Sequence, residues 1–252
     1  MRKFAVLMVL GLTVAGAREA AAQGTPADRV YLNIGFGVES GSTDSADTKQ
    51  YTLYDETATT TTTAPWTSGS FFGGGADFRV IKNLTVGVAY HQETNTSDTA
   101  ITGNVPHPIF FNRPRNFTGS ATGLYRRENA THVSIGWIVP IGTKFDLLVS
   151  GGPSFFRLEQ DVVSDVRIIE RGGAFTEVGL EQPTVVTQKR SANGYNVGAD
   201  ATYIFWQNDS VRLGGGGFIR YSAAKTNVRL LVSDLDTTVG GVQFGFGARI
   251  RF

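Results

Sequence analysis

From Val30 onward the chain alternates apolar positions with polar or glycine positions at a period of two, the pattern of strands whose two faces meet different media. In the first segment Val30, Leu32, Ile34, Phe36 and Val38 alternate with Tyr31, Asn33, Gly35, Gly37 and Glu39. The last segment sets Val242, Phe244, Phe246, Ala248, Ile250 and Phe252 against Gln243, Gly245, Gly247, Arg249 and Arg251. Six more segments lie between them, at about 69–80, 84–92, 130–139, 145–157, 194–205 and 210–222, so the pattern predicts eight strands.

The connections sort by length. Short ones at 81–83, 140–144 and 206–209 carry ordinary turn residues, and they alternate with long polar ones at about 41–68, 93–129, 158–193 and 223–238. In an up-and-down meander, odd and even connections fall at opposite ends of the sheet. An even strand number, segments of about ten residues, short turns at one end and long loops at the other predict an all-β fold. The expected architecture is an eight-stranded antiparallel up-and-down transmembrane β-barrel with both termini on the short-turn side. A secreted lipocalin-type barrel would share the period but turn its apolar face inward. One face carries Phe72, Phe78, Val86, Val88, Ile135, Val149, Val197 and Ile219; the other carries charges interleaved with glycines. An eight-stranded barrel is just wide enough for side chains, so bulky arginines inside need small neighbours, which favours the polar face as the interior. Trp137, Phe145, Tyr203, Phe205, Trp206 and Phe252 toward the short-turn rim, and Trp66, Tyr90 and Tyr221 toward the other, suit two interfacial girdles. Pro153 stands out in its strand, and a bulge or an early end of pairing is expected there.

Composition narrows the class. With 31 glycines, 18% charged residues and no cysteine, disulfide scaffolds, Cys-ligated metals and a disordered chain are excluded. A net charge of +1 offers nothing to nucleic acid. Arg2 and Lys3, the apolar stretch 4–15 and Ala20-Ala21-Ala22 read as a signal peptide over residues 1–22, which leaves 23–252 as the barrel domain.

The signal-like start, the meander and the final strand from Val242 to Phe252 resemble the bacterial outer membrane β-barrel family of OmpA/OmpX type, over essentially the whole chain after residue 22. The resemblance implies residence in the cell outer membrane. In that family a last strand ending in an aromatic is read by the barrel-assembly machinery, so the resemblance assigns Phe252 that role and makes the machinery a partner.

Candidate chemistry is sparse. Asp77, Arg79, Asp146, Asp200, Arg212, Arg249 and Arg251 share the inward face near the short-turn end and are expected to form a paired lumen network, because an isolated buried charge costs several kcal/mol. Arg113, Arg115, Arg126 and Arg127 fall in or beside the connection between the third and fourth strands at 93–129, where anionic lipopolysaccharide is the expected contact. The stretch 105–117, with three prolines and three phenylalanines, is expected to pack as a lid on the barrel mouth, and Thr59–Thr63 reads as an exposed loop tip. His91, His107 and His132 lie in different segments, so neither a metal nor a cofactor site is expected. His132-Val133-Ser134 is similar to the His-x-Ser of outer membrane lipid A deacylases, but parity turns both side chains inward and Ile135 stands where that family has Asn. A side-chain-filled lumen predicts a monomeric, non-enzymatic outer membrane protein with an envelope-structural or surface-loop display role. The alternatives are a narrow channel for small solutes and a lipid A-modifying enzyme.

Overall fold

The structure, a computed structural model, describes residues 28–252 apart from 42 and 68. The signal segment 1–22 lies outside the described residues. Eight antiparallel strands close into a ring: β1 (Val30–Ser40), β4 (Gly69–Ile81), β5 (Leu84–Val105), β6 (Arg115–Ile141), β7 (Phe145–Asp165), β10 (Thr184–Gln207), β11 (Arg212–Arg229) and β13 (Val242–Arg251). The seam pairs β1 with β13 from Tyr31↔Arg251 to Ser40↔Val242. Closure is what lipid demands, since hydrocarbon cannot satisfy the N–H and C=O groups of a sheet edge.

Below the rim, alternation has the predicted sense. Phe72, Phe78, Val86, Val88, Ile135, Val197, Ile219, Phe244 and Phe246 are exposed on the outside, while Thr85, His91, His132, Gln243, Arg249 and Arg251 are buried within. A barrel whose outer belt is apolar and whose interior is polar spans a bilayer. Tyr90, Phe155, Tyr195 and Tyr221 are exposed at the upper edge of that belt, and Trp137, Phe145, Tyr203, Phe205, Trp206 and Phe252 at the lower. Some ten residues of β10 from Tyr195 to Phe205, at about 3.4 Å each and a tilt of about 40°, cover roughly 25 Å, the height of an outer membrane apolar band.

Above the belt the outcome differs from expectation. The ranges read as long polar loops are largely strand. β5 and β6 run on as one long hairpin, β7 and β10 extend likewise, and β2 (Thr43–Leu53), β3 (Glu56–Trp66) and β12 (Asp234–Val239) are added. β3 pairs with the upper part of β5, and β12 with the upper part of β11. Five strands thus pass through both tiers, while β2, β3 and β12 replace β1, β4 and β13 in the upper one. Edge strand β2 meets the turn that precedes β12 through Asp47, whose carboxylate accepts the backbone N–H groups of Val232 at 2.9 Å and Ser233 at 3.3 Å and the Ser233 hydroxyl at 2.9 Å. Burial alone would raise the Asp47 carboxyl, but these bonds outweigh it and hold it below the usual range.

In the upper tier the inward face changes character. Along β5 the same parity that buries Thr85 and His91 below buries Ile101 and Val105 above. These join Ala58, Trp66, Phe117, Leu124 and Val163 in one apolar cluster, beside a second of Phe156, Leu158, Val162, Ala192, Val228 and Val239. The reason is the outer medium: above the belt it is water, so apolar side chains turn in and polar ones out. On β6 the parity shifts once, between Ala121 and Leu124, at a bulge where Gly123 takes φ 69° and its N–H donates to Asp98 Oδ1 at 2.8 Å. Trp66 is 3% exposed inside this core, so it does not belong to the outer girdle. The threonine run 59–63 lies within β3, with Thr60 and Thr62 buried, because β-branched threonine suits a strand better than a loop tip. Pro153 neither bulges nor ends β7. It faces Tyr195 on β10, and the missing N–H falls in a short gap of the β6 ladder between His132↔Ser154 and Ile135↔Gly151.

The hairpin β8 (Ile168–Arg171) and β9 (Glu177–Leu180), joined through a 3-10 turn at Gly173–Phe175, packs Ile168, Val178 and Leu180 on the upper core. It fills the capping role expected of 105–117, whose tip instead carries Ile109, Phe110 and Phe111 into solvent.

Replacing fully buried Ile101 by alanine should weaken the upper tier by about 2–5 kcal/mol. Limited proteolysis of intact protein in detergent should then cut within 93–129 sooner than in the wild type, whereas Ile135→Ala, on the lipid face, should leave the cutting rate unchanged. Equal rates for the two variants would show that the upper tier has no core of its own.

Candidate functional site

The lower lumen holds five of the seven predicted charges in defined pairs, while Asp77 and Arg79 form no ion pair among the described residues. Arg249 forks onto Asp200, with Nε–Oδ1 at 3.2 Å and Nη2–Oδ2 at 2.6 Å, and Thr202 Oγ1 donates to Asp200 Oδ1 at 3.1 Å. Arg251 forks onto Asp146, with Nη2–Oδ1 at 2.6 Å. Arg212 pairs at 3.3 Å with Asp28, a residue the sequence reading passed over because it precedes the first alternating segment. Arg251 and Arg79 both lie over the Tyr31 ring, their guanidinium carbons 4.8 and 5.3 Å from its centroid. Asp77 is not joined to a fork. Its carboxylate lies over Gly87, where a Cβ would come within 2.0 Å of Oδ1, in the shared field of Arg220 and Arg249. The Phe218 ring is accommodated in the same way, against Gly245.

At mid-depth a polar chain, buried from Asn196 onward, crosses the barrel. Ser134 Oγ donates to Asn196 Oδ1 at 3.2 Å, and Asn196 Nδ2 donates to Ser154 Oγ at 2.9 Å. Ser154 Oγ lies 2.7 Å from His132 Nδ1, and His132 Nε2 lies 3.0 Å from His91 Nδ1. Gln243 Nε2 donates to His91 Nε2 at 2.8 Å and to Glu39 Oε2 at 2.6 Å. The two imidazoles stack with centroids 5.0 Å apart. Inward parity was legible for each of these residues. Their meeting was not, because it depends on the β5–β6 register, which places Ala89 opposite His132 and Ala130 opposite His91. That register follows only once 106–114 is known to be the tip of one hairpin.

The chain ends at a carboxylate cluster just above the upper aromatic belt. Glu93 faces Glu128 across β5 and β6, and a cavity of about 30 Å³ is lined by both together with Glu39, Trp66 and Arg126. Glu128 Oε1 accepts the Gly240 N–H at 2.7 Å, and Oε2 lies 3.4 Å from Arg126 Nη2. Burial first, then the charges of Glu39 and Glu128, push the Glu93 carboxyl up to about 8. Burial and Glu39 push Glu128 up to about 7. None of the three glutamates was singled out from sequence, where each looks like an ordinary polar position.

The four arginines assigned to lipopolysaccharide part company. Arg115 is partly buried in a fork onto Glu170 of β8, with Nη2–Oε1 at 2.8 Å, and also donates to the carbonyls of Pro106 and Phe175. Its hydrogen bonds hold the Glu170 carboxyl below the usual range. Arg126 points inward, beside Glu128 and 5.9 Å from the Trp66 ring centroid. Neither is available to lipid, because inward parity claims Arg126 and the β8–β9 hairpin covers Arg115. Arg113 lies over the Phe110 ring at the hairpin tip, far above the headgroups. Arg127 faces outward just above the belt, its Nε donating to Tyr125 Oη at 2.7 Å. Phe252 is 47% exposed on the lower rim, and its backbone forms the last rungs of the seam with Val30.

No family model and no curated protein matches the chain. Among solved structures it is similar to the outer membrane protein OprG from Pseudomonas aeruginosa, with a TM-score of 0.45 and 10% identity over 91% of this chain and 98% of that one. It is also similar to the N-terminal β-barrel domain of OprF from the same organism, with a TM-score of 0.38 and 9% identity over 89% and 98% of the two chains. For Neisserial surface protein A the TM-score is 0.39 at 12% identity over 88% and 97%.

The raised Glu93 carboxyl sets a sign for stability. A folded pKa near 8 above an unfolded value near 4.3 means that the native state keeps a proton the unfolded chain releases. The contribution of Glu93 to stability is therefore full below about pH 4.3 and is lost as the pH rises toward 8. Urea midpoints in detergent should fall over that window, and Glu93→Gln should flatten the fall; an unchanged slope in the variant would remove Glu93 as its source.

Proposed function

We propose that this chain, a small outer membrane β-barrel of OmpA/OmpX type, is a non-conducting and non-enzymatic carrier of a folded β-tier that meets partners at the cell surface. The observation that carries this reading is that the interior is filled at every level. Three Arg–Asp pairs close the lower lumen, the His91–His132 chain crosses the middle, and two apolar clusters fill the top. A lumen cavity beside Phe71, His91, Phe218 and Arg220 amounts to about 50 Å³, room for a few waters and not for a solute path. The surface that remains for function is the upper tier, whose β5–β6 tip exposes Ile109, Phe110 and Phe111. A long hairpin that keeps aromatic side chains in water suits recognition better than envelope filling alone.

Purified protein in planar bilayers should give no unitary current steps. Reproducible steps would favour the narrow-channel reading instead.

The lipid contact we assign keeps Arg127 of the expected set and adds two further cations. Arg127, Arg157 and Lys189 face outward on adjacent strands β6, β7 and β10, with Glu159 between them in register and within 3.8 Å of Arg157 and 3.1 Å of Lys189. This patch sits directly above Phe155 and Tyr195, at the level where outer-leaflet phosphates begin, and one carboxylate does not neutralise three cations. Charge reversal of Arg157 and Lys189 together should lower lipopolysaccharide co-purification, while reversal of Arg113 at the tip should not. Equal retention in both variants would reject the patch as the anchor.

A further inference from the structure

We infer that Glu39, His91 and Glu128 bind one divalent transition-metal cation of the Zn²⁺ class at the floor of the upper tier. One potential ligand atom from each lies within 4.8 Å of the others, and all three residues are at most 3% exposed. His91 Nε2 and Glu39 Oε2 are 3.5 Å apart. Two ligands held tetrahedrally at Zn–N and Zn–O lengths of about 2.0–2.2 Å sit about 3.4 Å apart, so this pair already has ligand spacing. Glu128 can offer one oxygen and keep the other on its present donor, Gly240 N–H or Arg126.

The surroundings point the same way. When all three carboxylates ionise, Glu39, Glu93 and Glu128 against Arg126 carry two uncompensated negative charges in one buried cluster, and a divalent cation cancels them. Buried charge that is not balanced is costly, and its balance here needs a counter-ion or protons. Two buried polar atoms beside the cluster have no hydrogen-bond partner among the described residues: Gln243 Oε1, on the amide that touches both His91 and Glu39, and Trp66 Nε1, on the cavity wall. A metal-bound water gives the indole N–H an acceptor, and the Gln243 carbonyl adds an oxygen ligand. The His91 ring is also set as metal-ligating histidines are. If His132 Nδ1–H donates to Ser154 Oγ and His91 Nδ1–H donates to His132 Nε2, then Nε2 of His91 presents its lone pair toward Glu39, and Gln243 N–H occupies that lone pair in the metal-free state. On this reading His132 and Ser154 are positioning residues. One imidazole among carboxylates selects Zn²⁺ or a neighbouring transition ion over Mg²⁺ or Ca²⁺, which prefer all-oxygen sites.

The test uses the full protein purified from outer membranes in detergent, stripped with a chelator and then equilibrated with Zn²⁺. One Zn²⁺ per chain, an upward shift of Tm, and a visible absorption band when Co²⁺ is substituted are expected. Glu128→Gln and His91→Asn should abolish stoichiometric uptake, and His132→Asn should weaken it by about 10–100-fold, the usual cost of an outer-shell change. If His91→Asn fails to fold, the Glu128→Gln variant and the Co²⁺ spectrum of the wild type carry the test. The inference fails if the stripped wild type takes up no stoichiometric Zn²⁺, if uptake survives in folded Glu128→Gln, or if Ca²⁺ binds there while Zn²⁺ does not.

Discussion

The structure depends on the inability of hydrocarbon to accept or donate a hydrogen bond. A sheet in lipid must therefore close, closure at eight strands leaves a bore only one layer of side chains wide, and each strand then sends alternate residues to two unlike media. The glycines along β1, β4, β11 and β13 follow from that narrow bore. So do the arginines of the lower lumen, which must be matched by carboxylates because the bore has no bulk water to screen them.

The same alternation also builds the upper tier, with its chemistry reversed. Strands such as β5 keep one face turned inward over their full length, yet that face runs from threonine and histidine to isoleucine and valine once the outside changes from lipid to water. The boundary between the two regimes is where polar inward residues lose the enclosing apolar belt and apolar ones begin, and the glutamates collect there. A buried cluster of carboxylates is an expensive thing to place in either regime, and it sits at the junction of the two.

Much of the lower tier was legible in the sequence, since parity alone sorts Val86 from Gly87 and Ile250 from Arg251. The upper tier was not, for a physical reason. Threonine-rich and mixed polar strands such as β2 and β3 face water on one side and a modest core on the other, and their alternation is too weak to stand out from a loop. Proximity across strands was likewise hidden. His91 and His132 needed the length of the β5–β6 hairpin, and Arg115 needed the fold-back of β8 and β9. Parity shows which way a side chain points; only register shows what it meets.

Among the described residues the upper tier, unlike the lower, is not closed by a backbone ladder: β2 meets the turn before β12 through the side chain of Asp47. Both of these edges carry acids, Asp44 and Asp47 on one and Asp234 and Asp236 on the other. Like charge along two open strand edges discourages them from accepting a strand of a neighbouring molecule. That arrangement discourages two copies of a tall, β-rich tier from zipping edge to edge while leaving its aromatic tip exposed.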